Sequence, residues 1–407
     1  MENLLTKRNV IIAGAAVVAI IAALLFLGRR EAPEEASFIE RIFPVVSKFL
    51  PGARPAPGVP EPAEEARELP LSANESAALP VGTLIRLSDS NISSLTSHLQ
   101  LVRYHKNIPE NLGHLFERRA DGADEERRLS NFTIPQVLRA AWSPDGLRAV
   151  VFYNLDNQIR KLLIDYSTST PRTNFLPDSV SDVIFSPDSK SLAFINDLGE
   201  SKNIFIATAD FRNQRKIFDN NVPGFEISWP AANTIALKTK SSYAIRGFLY
   251  TLNIKTGAFV KIAEGLGLDA VWNSDGSGAL YSASDSDGNL LNLKFVDAKT
   301  GETKELSVRT IAEKCAFLRT QKNAAYCAAP RVAPTQRSEQ ASLPDAWWQG
   351  KVSFQDDFVL VDAQSGQFSA FISSPLDVIN PLVLANDSFL LFRDKNTNNL
   401  WSLKLKP

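Results

Sequence analysis

Cysteine, histidine and methionine are scarce in this sequence: two, three and one among 407 residues. Two cysteines exclude a disulfide-dense scaffold and a four-cysteine zinc site. The three histidines, His98, His105 and His114, are widely and irregularly spaced. They match no standard metal pattern and read as solvated or packed strand residues. A surplus of charge is missing too. The formal net charge of -1 offers no basic field for nucleic acid. No G-x-S-x-G is present, which removes the hydrolase nucleophile elbow. The run Asp285-Ser286-Asp287-Gly288-Asn289 is the closest approach to a calcium loop, but its glycine is misplaced for an EF-hand and no glutamate follows at the required distance. It reads as a hairpin turn. No catalytic residue, metal ligand or cofactor is assigned. A carbohydrate-active protein using carboxylates scattered along the chain stays open as an alternative.

Long apolar runs are absent except for one. Val10 to Leu27, VIIAGAAVVAIIAALLFL, is uncharged and flanked by Lys7, Arg8, Arg29 and Arg30. As a helix it would span about 27 Å, close to the hydrocarbon thickness of a bilayer. Small residues suited to signal-peptide cleavage do not follow it, so it reads as an uncleaved anchor. Basic residues balance across the run; the short basic tail and the acids Glu31, Glu34 and Glu35 favour an inside N-terminus. Residues 1–9 are then a short tail and 10–28 a transmembrane helix. Residues 29–50 form a juxtamembrane amphipathic segment, in which FIERIFPVVSKFL has helical periodicity. Residues 51–80 carry seven prolines, cannot bury a core and read as an extended linker.

The remainder, 81–407, is built of repeats. AAWSPDG (140–146) returns as VIFSPDS (183–189) and AVWNSDG (270–276), with looser copies EISWPAA (226–232) and CAFLRTQ (315–321). The aromatics Trp142, Phe185, Trp229, Trp272 and Phe317 fall at steps of 43, 44, 43 and 45 residues. Each is followed by a turn and two short apolar runs of strand length. NIKTG, DAKTG and DAQSG then place Gly257, Gly301 and Gly366 at hairpin positions. Four antiparallel strands per period in the forties predict β-propeller blades. In this reading Asp145 caps the turn between strands A and B and is not catalytic. A diverged blade precedes these repeats at 93–131, and a short one ends the chain at Lys406. That last blade lacks a fourth strand, which VGTLIRLSD at 81–89 can supply. The expected fold is all-β: a seven-bladed β-propeller of four-stranded antiparallel blades, preceded by one transmembrane helix and the proline-rich linker.

SPDG before a strand, together with SDSDGNLLNLKFVDAKTG at 284–301, resembles the repeats of TolB-type, WD-like β-propellers. The resemblance covers about 93–407. It implies a propeller and an envelope setting. The type member carries an α/β domain ahead of its propeller; here the anchor and linker occupy that place.

Two further features concern function. PRVAPTQRSEQASLPDAWWQGKVSFQ, residues 330–355, lengthens one B–C connection far beyond the others. Its adjacent Trp347 and Trp348 suit a protein or glycan contact, although the loop can instead fold back over its own blade. Cys315 and Cys327 are equidistant from a turn near Gln321, so they face each other across a hairpin. An extracytoplasmic domain permits a disulfide between them, with two buried thiols as the alternative. The expected function is a single-pass, membrane-tethered extracytoplasmic propeller that binds or scaffolds an envelope protein or glycan, without catalysis and without nucleic acid.

Overall fold

The computed structural model describes residues 79–109, 112–220, 224–240, 242–331 and 342–406. The expected anchor, the juxtamembrane segment and nearly all of the linker lie outside these residues. Among the described residues no helix is long and apolar enough to cross a membrane.

Over the described residues the architecture is all-β, with five sheets of four antiparallel strands each and one of seven. In the seven-stranded sheet the long strand Phe259–Trp272 serves two repeats: its first half pairs with Arg246–Asn253 and its second with Gly278–Ser284. Each repeat follows a simple up-and-down order, A-B-C-D. The A strands (Ile92–His98, Val137–Trp142, Val180–Phe185, Phe225–Ala231, the second half of Phe259–Trp272, Cys315–Phe317 and Val378–Val383) border one central cavity of about 980 Å³.

The apolar residues of one blade pack against those of the next. Val150 and Phe152 meet Phe185, Leu192 and Phe194. Ala193 and Ile195 meet Ile227, Trp229 and Leu237. Each fully buried large apolar side chain contributes roughly 1.5–3 kcal/mol from removal from water. The repeat aromatics sit at these seams, with the Trp142 ring 5.3 Å from His105 on the preceding blade.

The WSPDG turn is held from within. Asp145 Oδ1 accepts Ser143 Oγ–H at 2.5 Å and the Leu147 N–H at 2.9 Å, while Gly146 N–H closes the turn on Ser143 O at 2.8 Å. Gly146 has φ +69°, and a Cβ there would lie 2.6 Å from the Ser97 carbonyl. A side chain is excluded on both counts. Ser186 and Asp188 repeat the device at 2.6 Å. Asp145 is therefore a turn residue.

The first strand, Leu84–Arg86, pairs with Leu400–Lys404 as the outermost strand of the last sheet, in the register Leu84↔Leu403, Ile85↔Ser402 and Arg86↔Trp401. Leu384, Phe389 and Leu391 of that sheet pack on Ile92, Val102 and Tyr104 of the first blade. The two ends of the described region are thus joined by hydrogen bonds and by a shared core.

Candidate functional site

One position recurs at the start of the A strands. Three residues before each repeat aromatic stands a charge: Arg139, Asp182, Glu226, Asp269 and Lys314. The ladder slips by one residue or more beside this position in the second, third and fifth repeats. Such bulges bend the strand and re-aim its side chains.

These charges stitch neighbouring blades together. Arg139 Nη2 lies 2.6 Å from Asp182 Oδ1, with its guanidinium 3.6 Å over the Phe152 ring. Asp182 Oδ2 accepts the Ile227 N–H of the fourth blade at 3.0 Å. Lys238 Nζ bridges Glu226 Oε2 at 3.0 Å and Asp269 Oδ1. Asp269 Oδ2 accepts the Glu313 N–H of the sixth blade at 2.6 Å. Lys314 Nζ, with no exposure, reaches Asp356 Oδ2 at 2.7 Å and Asp377 Oδ1 at 2.6 Å, the latter at the head of the last blade.

A strands begin where B strands end, because the two are antiparallel, as in Val180↔Asn196. The B–C turns therefore share this end of the cavity with the girdle of charges. The described part of the long connection of the sixth blade, residues 342–355, runs as a strap over neighbouring blades at this end. Leu343 N–H donates to Gly288 O at 2.8 Å, and Leu343 O accepts Ser284 Oγ–H at 2.6 Å, both on the fifth blade. Asp345 Oδ2 accepts the Tyr243 N–H of the fourth blade at 2.7 Å. A helical turn, Asp345–Trp348, follows. Ser353 Oγ–H and Phe354 N–H then donate to Asp377 Oδ2 at 3.1 and 3.0 Å.

The two tryptophans expected to meet a partner are separated by this turn. Trp347 is only 1% exposed and packs with Leu290, Ile311, Leu343 and Phe354. Its Nε1–H donates to Asp377 at 2.9 and 3.0 Å. The expectation of a contact residue is corrected here: successive residues of a helical turn diverge in direction, and this one faces the core. Trp348 is 37% exposed and donates to Glu313 Oε1 at 3.2 Å. The strap folds over neighbouring blades.

Glu226 and Asp269 pair with the Lys238 ammonium, which also acts on Glu313. Burial alone would pull Lys238 down, but Asp269 and Glu226 hold it above its usual range. Glu313 is pushed up to about 7 by burial and then by Asp269, against the pull of Lys238 and Trp348. Asp356 is raised to about 6 by burial, opposed by Lys314.

The other predicted residues are placed as follows. Cys315 and Cys327 are opposed in the ladder, with their sulfurs 2.12 Å apart in a disulfide. His105 is fully buried, hydrogen-bonded to Ser94 and Tyr166, and pushed down to about 3 by burial. Among the described residues no cluster of His, Cys, Asp or Glu is arranged to hold a metal ion. The charged girdle was missed from sequence. Its signal was present as the recurring charge three places before each aromatic.

No protein-family model matches the chain, and no curated protein does. Solved structures do resemble it. TolB from Acinetobacter baumannii aligns at 16% identity and TM-score 0.43, over 64% of this chain and 59% of its own length. The alignment thus spans less than two thirds of that protein. An oligogalacturonate lyase from Vibrio parahaemolyticus aligns at 9% identity and TM-score 0.56, over 80% of this chain and 94% of that one. The β-propeller domain of the Trilobed protease from Pyrococcus furiosus, described as having an open velcro topology, aligns at 13% identity and TM-score 0.50, over 78% and 96%. At these identities the likeness is one of fold: with its four-stranded antiparallel sheets arranged around one cavity, the chain resembles the β-propeller domain of that protease.

Proposed function

We propose that this chain is a seven-bladed β-propeller, tethered to the cell membrane by its N-terminal apolar run, that acts outside the cytoplasm as a binding or scaffolding module of the envelope. Its partner is a protein or a glycan of that compartment. The blade count takes the seven-stranded sheet as two blades sharing one long strand, beside the five four-stranded sheets. The observation that carries the contact role is a row of apolar tips at the entrance end. Leu198, Ile245, Leu291 and Trp348 are 64, 60, 38 and 37% exposed. They stand on the B–C connections of four consecutive blades, the third to the sixth. Apolar groups presented on one face are what an interaction site needs.

The test is photo-crosslinking in intact cells from residues placed at Ile245 and Trp348. Leu99, 73% exposed on the first A–B turn at the opposite end, is the control. One envelope component should be captured from the entrance positions and not from Leu99. Equal capture from both ends, or none from either, would sink the contact role.

A carbohydrate-active role is the second reading, favoured by one observation: Glu313, raised to about 7, borders the same cavity as Glu226. Turnover of an oligosaccharide that disappears in Glu313→Gln would establish it.

A further inference from the structure

The girdle has a gap where the last blade meets the first. Elsewhere its charges are paired: Arg139 with Asp182, Glu226 and Asp269 with Lys238, and Lys314 with Asp356 and Asp377. In the seventh blade the ladder slips between Ile379 and Leu382, beside the uncharged Asn380. In the first blade it slips between Ile92 and Ser94, at Ser93. One cation borders this gap. Arg393, on strand Phe389–Asp394, donates from Nη1 to Ile92 O at 3.0 Å and from Nη2 to Asn380 Oδ1 at 2.7 Å. Both partners are neutral, and its Nε has no hydrogen-bond partner among the described residues. Asp394, next in sequence, is buried and takes the Asp377 N–H and the N–H and Oγ–H of Thr397 instead. Burial pulls the guanidinium below its ordinary range, with no neighbouring carboxylate to oppose that pull. The Ser93 hydroxyl, 9% exposed, has no partner among the described residues either. Both side chains border the central cavity.

We infer that this seam is an anion site, in which Arg393 and Ser93 hold one carboxylate that enters from the cavity. A buried cation without a counter-ion is costly, and so is a buried donor without an acceptor. Water would satisfy the two donors and leave the charge unbalanced. A carboxylate answers all three lacks at once. Its charge balances the guanidinium, and its two oxygens accept the Nε–H and the Ser93 Oγ–H. The count also separates a carboxylate from a phosphate. The gap offers one positive charge and two donors, whereas a phosphate brings up to about two charges and at least three acceptor oxygens. Ile92 and Asn380 already hold the Nη groups, so the guanidinium is fixed before anything binds. Leu95 and Leu382 line the wall beside it, and an apolar wall strengthens a charge-assisted bond. The carboxylate belongs either to a free organic acid or to an acidic residue or chain end of the partner. The second source rests on the contact face proposed above; the site itself is read without it.

The experiment is a melting titration of the full-length protein with sodium acetate, at an ionic strength held constant with sodium chloride. Sodium phosphate is the comparison. A ligand that binds only the native state raises the melting temperature. Acetate should raise it saturably, and phosphate should raise it less. The rise should vanish in Arg393→Gln. In Ser93→Ala the half-saturating acetate concentration should increase about tenfold, for the loss of one hydrogen bond to a charged group. No saturable rise in the wild type, or a rise that persists in Arg393→Gln, overturns the site. If Arg393→Gln does not fold, an unmoved half-saturation in Ser93→Ala overturns it instead. An equal response to phosphate overturns the choice of a carboxylate. Crosslinking from Ile245 and Trp348 in the Ser93→Ala protein separates the two sources: reduced capture assigns the carboxylate to the partner, and unchanged capture assigns it to a free acid. A failed wild-type crosslink with the acetate response intact would remove the contact role and leave the site standing.

Discussion

The indole N–H of Trp347 donates to both oxygens of Asp377, at 2.9 and 3.0 Å, joining the strap of one blade to the first strand of the next. The same carboxylate accepts Lys314 Nζ–H, Ser353 Oγ–H and Phe354 N–H. One buried anion thus gathers the strap's helical turn, its return arm and the girdle. Asp356 shares the Lys314 ammonium, and its Oδ1 has no hydrogen-bond partner among the described residues.

Removing either member of this contact should be costly. Trp347→Ala empties a core site and should lose about 3–5 kcal/mol. Asp377→Ala strands Lys314 with one carboxylate and should lose about 3–5 kcal/mol. Trp348→Ala should cost no more than about 1 kcal/mol. Denaturant titration of the three variants checks the order. Equal losses for the two tryptophans would contradict the burial difference.

Asp356 predicts a pH dependence of stability. Burial raises its carboxyl from 3.8 to about 6 in the folded protein. Its neutral form is the one favoured by folding. Its contribution is complete below the unfolded value and declines as pH rises through about 6. Asp356→Asn should flatten the change in melting temperature between about pH 5 and 7. A slope identical to wild type would show that Asp356 does not titrate in that window.

Strand Leu84–Arg86 should be required for a closed domain. Without it, Leu400–Lys404 becomes an open edge and the apolar face beneath it meets water. A chain beginning at Ile92 should aggregate or melt without cooperativity. Parent-like melting would make the strand dispensable.

The Cys315–Cys327 bond closes a short loop, with a sequence separation of 12. Its loss in Cys315→Ser/Cys327→Ser should cost about 2–3 kcal/mol. Mass spectrometry of non-reduced, alkylated protein should find the two peptides linked. Two alkylated cysteines would count against the bond and against an oxidising compartment.

Topology is open to a direct test. Protease added to intact spheroplasts should remove the propeller and leave a membrane stub. Digestion only after lysis would place the domain on the cytoplasmic side.

The repeating pattern was legible because it is local. An aromatic, a turn of Ser-Pro-Asp-Gly type and two apolar runs recur with nearly constant spacing, and each depends on residues only a few positions apart. The bond across Asp145 is made within its own turn. Cys315 facing Cys327 follows from counting outward from a hairpin. The place of Leu84–Arg86 followed from a missing strand at the other end of the chain.

The entrance is a different matter. Composition shows Lys314, Asp356 and Asp377 only as charges, and charges on strands ordinarily face solvent. Their burial arises because the blades turn their first strands inward and bring residues 63 positions apart to 2.6 Å. The tryptophan pair makes the same point. Sequence alone determined that an unusually long connection carried two adjacent indoles. Which indole is buried depended on where the strap crosses Gly288, Tyr243 and Asp377, on three other blades. Local spacing sets turns and strand order; burial and charge pairing are sums over neighbours that only the closed packing of blades brings into contact.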